Sequence, residues 1–128
     1  MPRILVADDD PLQLDLRKQI LEIAGYQVEI ALTVRQTVRR LENAPAGLMT
    51  DLVIMDLRFP NALGEPDAQE GMALIRRIRD LGCRAPVIVL SGWPEDLYGQ
   101  PEEQQVSRIL LKPVRTRELL HAIRDLLA

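Results

Sequence analysis

Carboxylates, a hydroxyl and a lysine stand where four short apolar segments of this chain end. They are Asp8, Asp9, Asp10, Asp56, Ser91 and Lys112. Carboxylates that converge in a cleft repel one another, so one must take up a proton or a cation must bind between them. Oxygen ligands without imidazole or thiolate favour a hard cation, and Mg²⁺ is the common one where phosphate is handled. A lysine and a hydroxyl beside the metal would stabilise a phosphoryl group on one of these carboxylates.

The apolar pattern indicates the elements that must position these residues. Short uninterrupted apolar runs predict strands that are covered on both faces of a sheet. Four such runs occupy positions 4–7, 52–55, 87–90 and 109–111. Positions 26–31 form a weaker strand candidate, in which Val28 and Ile30 alternate with other residues.

Between the predicted strands lie four apolar stripes with helical spacing. The stripes are Leu12, Leu16, Ile20 and Ile23; Val34, Val38 and Leu41; Leu74, Ile78 and Leu81; and Leu119, Ile123 and Leu126. Asp10 is predicted to cap the first helix, with Pro11 at its first position and Gly25 ending it. Positions 93–106 should hold one more helix, which two prolines and Gly99 would leave short, broken or poorly ordered.

Strand and helix patterns alternate along the whole chain, with no repeat, low-complexity tract or interdomain linker. This alternation predicts a parallel sheet with helices on both faces. Ligands of such sheets bind at the carboxyl ends of the strands, where the strand order reverses. We therefore expect the six polar residues at one rim, and irregular connections at positions 43–50 and 58–69.

Composition excludes several classes of protein. The 128 residues carry a net charge of −3, which does not favour non-specific binding to nucleic acid. With Cys83 and His121 as the single cysteine and histidine, an internal disulfide and a Cys/His zinc site are excluded. The apolar runs are too short to span a bilayer, and three early aspartates argue against a signal peptide. The expected compartment is the reducing cytoplasm.

Four segments carry a family resemblance. Positions 4–11, 53–57, 89–92 and 111–113 read ILVADDDP, VIMDL, VLSG and LKP. In this order and at these spacings they resemble the successive motifs of bacterial two-component response-regulator receiver domains, the CheY-like family. The resemblance covers essentially the whole chain and implies a doubly wound (βα)5, flavodoxin-like sandwich. Its five-stranded parallel sheet would have the order 2-1-3-4-5, with helices on both faces.

The resemblance also implies a function. Residues 1–128 would form a single receiver domain with no output domain, a signalling domain and not an enzyme, which assists its own phosphoryl transfer and dephosphorylation. Its partner would be a histidine kinase or phosphotransfer protein, and its downstream effector is left open. We expect no direct contact with nucleic acid, no membrane insertion, and a monomer or weak dimer.

Carried over residue by residue, the resemblance makes Asp56 the phosphoacceptor and implies a Mg²⁺ site around it. Asp8 and Asp9 resemble the acidic pair of the family, Asp9 as a direct metal ligand and Asp8 partly through water. Arg58 stands where the family supplies a ligand through its backbone carbonyl, which would leave the arginine side chain free.

The remaining site residues also follow from the resemblance. Ser91 matches the Ser or Thr that moves towards the phosphoryl group, and the neighbouring Gly92 matches a small residue that leaves the acceptor accessible. Lys112 matches the lysine that pairs with the phosphoryl group, and its bond to Pro113 is expected to be cis. Trp93 is open to two interpretations: it covers the site entrance or binds a partner, or it fills space beneath an irregular helix.

Three features depart from the family pattern. The connection at positions 58–69 is several residues longer than usual and borders the expected site. Ile109 stands where many members carry a switching Tyr or Phe, so an aromatic switch is absent from that position. Positions 94–105 do not resemble a regular fourth helix, which puts the usual output face in doubt.

Other classes of protein fit less well. A haloacid-dehalogenase phosphatase would use the acids at positions 8–10, but it needs a later acidic motif and leaves Asp56 without a role. Only Glu118 and Asp125 follow Lys112, both in the terminal helix. A flavodoxin-type cofactor module would need a loop rich in Ser, Thr and Gly after the first strand, where this chain has carboxylates. A degenerate receiver that serves only for binding is disfavoured by the intact set of acids, serine and lysine.

Overall fold

The computed structural model describes residues 1–44 and 49–128. Its strands are β1 (Arg3–Ala7), β2 (Gln27–Ala31), β3 (Leu52–Asp56), β4 (Phe59–Pro60), β5 (Pro66–Asp67), β6 (Val87–Ser91) and β7 (Arg108–Leu111). Its helices are α1 (Pro11–Ile23), α2 (Val34–Glu42), α3 (Ala68–Asp80) and α4 (Thr116–Leu127). Two 3₁₀ segments, Pro94–Asp96 and Pro101–Gln105, lie between β6 and β7. The irregular stretch expected at positions 43–50 falls partly on residues 45–48, outside the described residues.

The main sheet is parallel and five-stranded, with the spatial order β2-β1-β3-β6-β7. This is the predicted order 2-1-3-4-5, once the short strands β4 and β5 are set aside. The register aligns the carboxyl ends: Ala7 is opposite Met55, and Asp56 is opposite Leu90. Ser91 is opposite Leu111, the residue before Lys112. The polar residues predicted to share a rim therefore do so.

Alternation along the strands divides the core into two layers. One layer packs α2 and α3 on Leu5, Val53 and Val89, together with Ile109 of β7. The opposite layer packs α1 and α4 on the residues that alternate with these in the strands. Helices thus cover both faces of the sheet, which is why its central strands are apolar between their polar ends.

The first helix begins and ends as predicted, but its buried side was predicted wrongly. The Asp10 side chain accepts hydrogen bonds from the backbone N–H groups of two helix residues, and Gly25 has φ of 101° just past the end. The proposed stripe is largely exposed, with Leu12 at 81% and Ile23 at 88% exposure. The helix carries apolar residues on more than one side, so its docking on the sheet decides which side is buried. The buried side is formed by Leu14 and Leu21.

The connection at positions 58–69 is more ordered than expected. Strands β4 and β5 pair in an antiparallel hairpin. At its tip the side chain of Asn61 accepts hydrogen bonds from the N–H groups of Leu63 and Glu65, and Gly64 adopts φ of 78°. Phe59 is buried in the core, so the hairpin is fixed to the body of the domain.

The segment between β6 and β7 is short and broken, as predicted. Its two 3₁₀ segments take the place of a fourth regular helix. They are anchored by buried Leu97 and by Glu102, which pairs with Arg76 of α3 at 3.0 Å. No helix in the described parts of the chain is both long and apolar enough to cross a membrane.

Candidate functional site

Three carboxylates converge at the carboxyl edge of the sheet. Asp8 and Asp9 follow β1, and Asp56 ends the neighbouring strand β3. One oxygen from each of the three lies within 4.8 Å of the others. Asp8 is buried, Asp56 is partly buried and Asp9 is exposed. The cluster is therefore open to solvent on one side.

Lys112 supplies the positive charge that was predicted beside these acids. Its Nζ lies 3.3 Å from Oδ2 of Asp56 and 3.8 Å from Oδ2 of Asp8. Its backbone N–H donates to the carbonyl of Ser91, which ties the end of β7 to the end of β6. The Lys112–Pro113 bond is cis, as expected.

The crowding of carboxylates changes their acidity. Burial raises the pKa of Asp56 above its ordinary value, Lys112 opposes that shift, and the charge of Asp8 adds to it. The pKa of Asp9 is also raised, first by partial desolvation of its carboxylate, although the residue as a whole is exposed, and then by its contact with Asp8. Both carboxylates therefore carry their charge at a cost, which a bound cation would relieve.

Ser91 lies at the same rim with its hydroxyl already engaged. The side chain is buried, and Oγ accepts a hydrogen bond of 3.0 Å from the backbone N–H of Trp93. A serine that accepts in this way keeps its own proton for donation. A Cβ at Gly92 would meet no atom within 4 Å, so packing alone does not require glycine there.

Comparison with known proteins decides the family. The sequence model of the response regulator receiver domain matches residues 4–124. This chain belongs to that family. The three carboxylates and Lys112 thus form the rim of a receiver domain, a signalling module and not an enzyme of the ordinary kind.

Similarity to individual proteins supports membership of the receiver-domain family. The transcriptional regulator RpaA of Synechocystis is 32% identical, with the alignment covering 99% of this chain and 49% of RpaA. A receiver domain protein of Clostridium thermocellum matches with a TM-score of 0.82 and 28% identity, over 99% of this chain and 94% of the other. The receiver domain spans about half the length of curated relatives such as RpaA.

A third protein shares the fold. TrrA of Thermotoga maritima, solved in complex with Mg²⁺ and BeF, has a TM-score of 0.80 at 24% identity, over 98% of this chain and 99% of TrrA. TrrA has also been solved in complex with the histidine kinase ThkA. Receiver domains bind Mg²⁺, and the donor set here fits that ion, because three carboxylate oxygens converge with one side open for water.

The side chain of Arg58 is not free, contrary to the expectation from sequence. Its Nε lies 2.8 Å from Oδ2 of Asp96, and its guanidinium carbon stacks 3.9 Å from the centroid of the Trp93 ring. Trp93 remains 51% exposed, so it is not a space-filling residue beneath the 3₁₀ segments. The stacked pair joins the segments that follow β3 and β6 beside Asp56, since an indole face attracts a guanidinium.

Sequence reasoning missed two residues that shape the site of this receiver domain. Gly71 of α3 packs so closely on the strand end that a Cβ there would lie 2.0 Å from the carbonyl oxygen of Leu57. An isolated glycine inside a helical pattern was the signal that could have revealed it. Arg17 of α1 pairs with Asp8 at 2.7 Å, and no local pattern distinguished it from a solvated helix arginine.

Proposed function

We propose that Asp56 is the phosphoacceptor of this receiver domain and that a histidine kinase or phosphotransfer protein supplies the phosphoryl group. One observation carries the proposal: the Asp56 carboxylate lies 3.3 Å from the ammonium of Lys112, inside a cluster of acids suited to Mg²⁺. We assign the metal ligands to Asp8, Asp9, Asp56 and the backbone carbonyl of Arg58. Bound Mg²⁺ would neutralise phosphoryl oxygens during the transfer.

The chain's own groups account for the rest of the reaction. A carboxylate oxygen of Asp56 bonds to phosphorus while the bond from phosphorus to the donor's imidazole nitrogen breaks, and the electron pair stays on that nitrogen. The Leu57 N–H donates to Oδ1 of Asp56 at 2.8 Å and orients the carboxylate. Lys112 pairs with the incoming phosphoryl oxygens, and the Ser91 hydroxyl donates to one of them.

The proposal extends to the setting of the domain. The domain would act in the reducing cytoplasm as a monomer or weak dimer, without direct contact with nucleic acid. Residues 1–128 would form one receiver domain whose downstream effector is a separate question. Phosphorylation would change the conformation and the partner-binding surface by a route that uses no aromatic side chain at Ile109, which here packs against the α2–α3 layer.

Intact-mass measurement tests the assignment of Asp56. Incubation with acetyl phosphate and Mg²⁺ should give one phosphoryl adduct, and chelation of the metal should prevent it. Asp56→Asn should abolish the adduct, whereas Asp80→Asn, an exposed aspartate at the end of α3, should leave it unchanged. An adduct that persists in Asp56→Asn would overturn the assignment. If the adduct depends on Asp56, phosphotransfer profiling against purified histidine kinases would identify the partner.

A further inference from the structure

A second cation, Arg17, faces the acidic cluster from the side of α1, and it is less exposed than Lys112. Nη1 of Arg17 lies 2.7 Å from Oδ2 of Asp8, and the two side chains are only 12% and 2% exposed. The other oxygen of Asp8 accepts the backbone N–H of Asp10 at 3.0 Å. Lys112 approaches the same Oδ2 at 3.8 Å. The carboxylate of Asp8 is therefore already satisfied by protein groups on both of its oxygens.

The ion pair of Arg17 with Asp8 changes the total charge of the site. The carboxylates of Asp8, Asp9 and Asp56 carry three negative charges, and Lys112 offsets one of them. A divalent cation would balance the remainder if Arg17 were neutral. With Arg17 charged, the same cation leaves the unphosphorylated site with one excess positive charge. Transfer of a dianionic phosphoryl group to Asp56 adds one negative charge, and the site becomes balanced.

We propose that Arg17 is a positioning residue that weakens Mg²⁺ binding to the unphosphorylated domain and stabilises the phosphoryl group once it is on Asp56. This inference rests on the proposed function, since it assumes that Asp56 accepts the phosphoryl group next to Mg²⁺. Arg17 competes with the metal for Asp8, and its charge repels a cation but attracts the phosphoryl dianion. The two effects have opposite signs.

A purely structural role for Arg17 predicts something different. If the ion pair only fastened α1 to the end of β1, its loss would loosen Asp8 and weaken cation and anion binding together. The charge-balance role predicts that cation binding strengthens while anion binding weakens. Measuring both in one set of variants therefore separates the two roles.

The experiment compares Arg17→Met, Arg17→Lys and Arg17 itself in the full chain. Mg²⁺ alone is titrated by calorimetry, and beryllium fluoride is then titrated at saturating Mg²⁺ as a mimic of the phosphoryl group. Trp93, the single tryptophan, provides an independent fluorescence signal. For Arg17→Met we expect Mg²⁺ to bind about tenfold more tightly and beryllium fluoride about tenfold more weakly. Arg17→Lys keeps the charge and should remain near the parent for both.

Lys18→Met is the matched control, because it removes the same charge from the next residue of α1. In the described part of the chain Lys18 makes no ion pair, so both affinities should change by less than about twofold. Thermal unfolding with and without Mg²⁺ checks that each variant is folded. If Arg17→Met loosens the fold, Mg²⁺ should raise its midpoint by more than it raises that of the parent.

Each outcome is decisive. Tighter Mg²⁺ binding with weaker beryllium fluoride binding supports the proposal. Unchanged or weaker Mg²⁺ binding in Arg17→Met overturns the proposal, and so does unchanged or tighter binding of beryllium fluoride. A parallel loss of both affinities assigns Arg17 a structural role only. If the parent protein itself binds no Mg²⁺ and forms no adduct with acetyl phosphate, the proposed function fails instead.

Discussion

At the scale of single residues, the site is governed by how many negative charges are held close together. Asp56 and Asp9 both have a raised pKa, chiefly because their carboxylates are partly desolvated at the rim, with Asp8 adding to the shift in each case. A carboxyl group whose pKa rises on folding makes the folded state less stable when it is ionised. The acidic cluster therefore lowers the stability of the folded domain, and it does so at the residues that are proposed to bind the metal and the phosphoryl group.

Asp9→Ala should abolish Mg²⁺ binding with little loss of stability. Asp9 is exposed, and removing it relieves repulsion with Asp8 and Asp56 while sacrificing few contacts. We expect the free energy of unfolding without metal to change by less than about 0.5 kcal/mol. Calorimetric titration with Mg²⁺ and urea unfolding check the two parts. An unchanged titration would show that Asp9 is not a ligand.

Lys112→Met should impair phosphorylation without impairing metal binding. The variant removes the ammonium that lies 3.3 Å from Asp56, so phosphoryl oxygens lose their paired charge. We expect the rate of adduct formation with acetyl phosphate to fall at least about tenfold. The affinity for Mg²⁺ should stay equal or rise, because a like charge has been removed. A rate equal to that of the parent would exclude Lys112 from the reaction.

At the scale of elements, a glycine allows α3 to pack closely against the strand end that carries Asp56. Gly71 faces the backbone of Leu57, the residue that follows Asp56 and donates its N–H to that carboxylate. A side chain at this helix position would push α3 away from the strand end. The inserted hairpin of β4 and β5 lengthens the connection but leaves this contact intact.

Gly71→Ala should be strongly destabilising for a change of one methyl group. The added Cβ would lie 2.0 Å from a backbone oxygen, which cannot move aside as a side chain can. We expect a loss of about 2–3 kcal/mol in the free energy of unfolding. Gly92→Ala is the matched control, since its Cβ would meet open space and should cost far less. Equal midpoints in urea for the two variants would contradict this view of α3.

At the scale of the whole molecule, the parallel sheet order places β1 between β2 and β3, and β3 between β1 and β6. Strands β1 and β3 place Asp8 and Asp56 next to each other, and β7 at the sheet edge places Lys112 beside both. Elements far apart in the chain thus meet at one site, so binding there should stabilise the entire fold.

Mg²⁺ should therefore raise the thermal unfolding midpoint of the whole domain. At ten times the dissociation constant, linkage gives about 1.4 kcal/mol of stabilisation. For a chain of this length that corresponds to a shift of about 5 °C. Addition of a chelator should reverse it, and Na⁺ at equal ionic strength should not reproduce it. A shift that survives in Asp9→Ala would place the ion elsewhere.

The sequence by itself determined the order of the five sheet strands and the four helices, and it predicted that polar residues at the strand ends share one rim. It did not predict the hairpin of β4 and β5 or the contributions of Gly71 and Arg17. Buried parallel strands require uninterrupted apolar runs. Asp8, Asp56 and Lys112 could therefore be recognised from the sequence as polar residues at strand ends. The cap at Asp10 and the broken segment after Trp93 were also predictable, because proline and capping chemistry act locally.

Only the tertiary structure decided which side of α1 is buried, how Arg58 stacks on Trp93, and that Arg17 reaches Asp8. The first helix has apolar residues on both sides, so docking selected Leu14 and Leu21 over the longer stripe. Arginine side chains are long and have no preferred local partner, so their ion pairs depend on the distance between elements in space. The pairing of Arg17 with a buried acid is therefore a product of packing that no local pattern encodes.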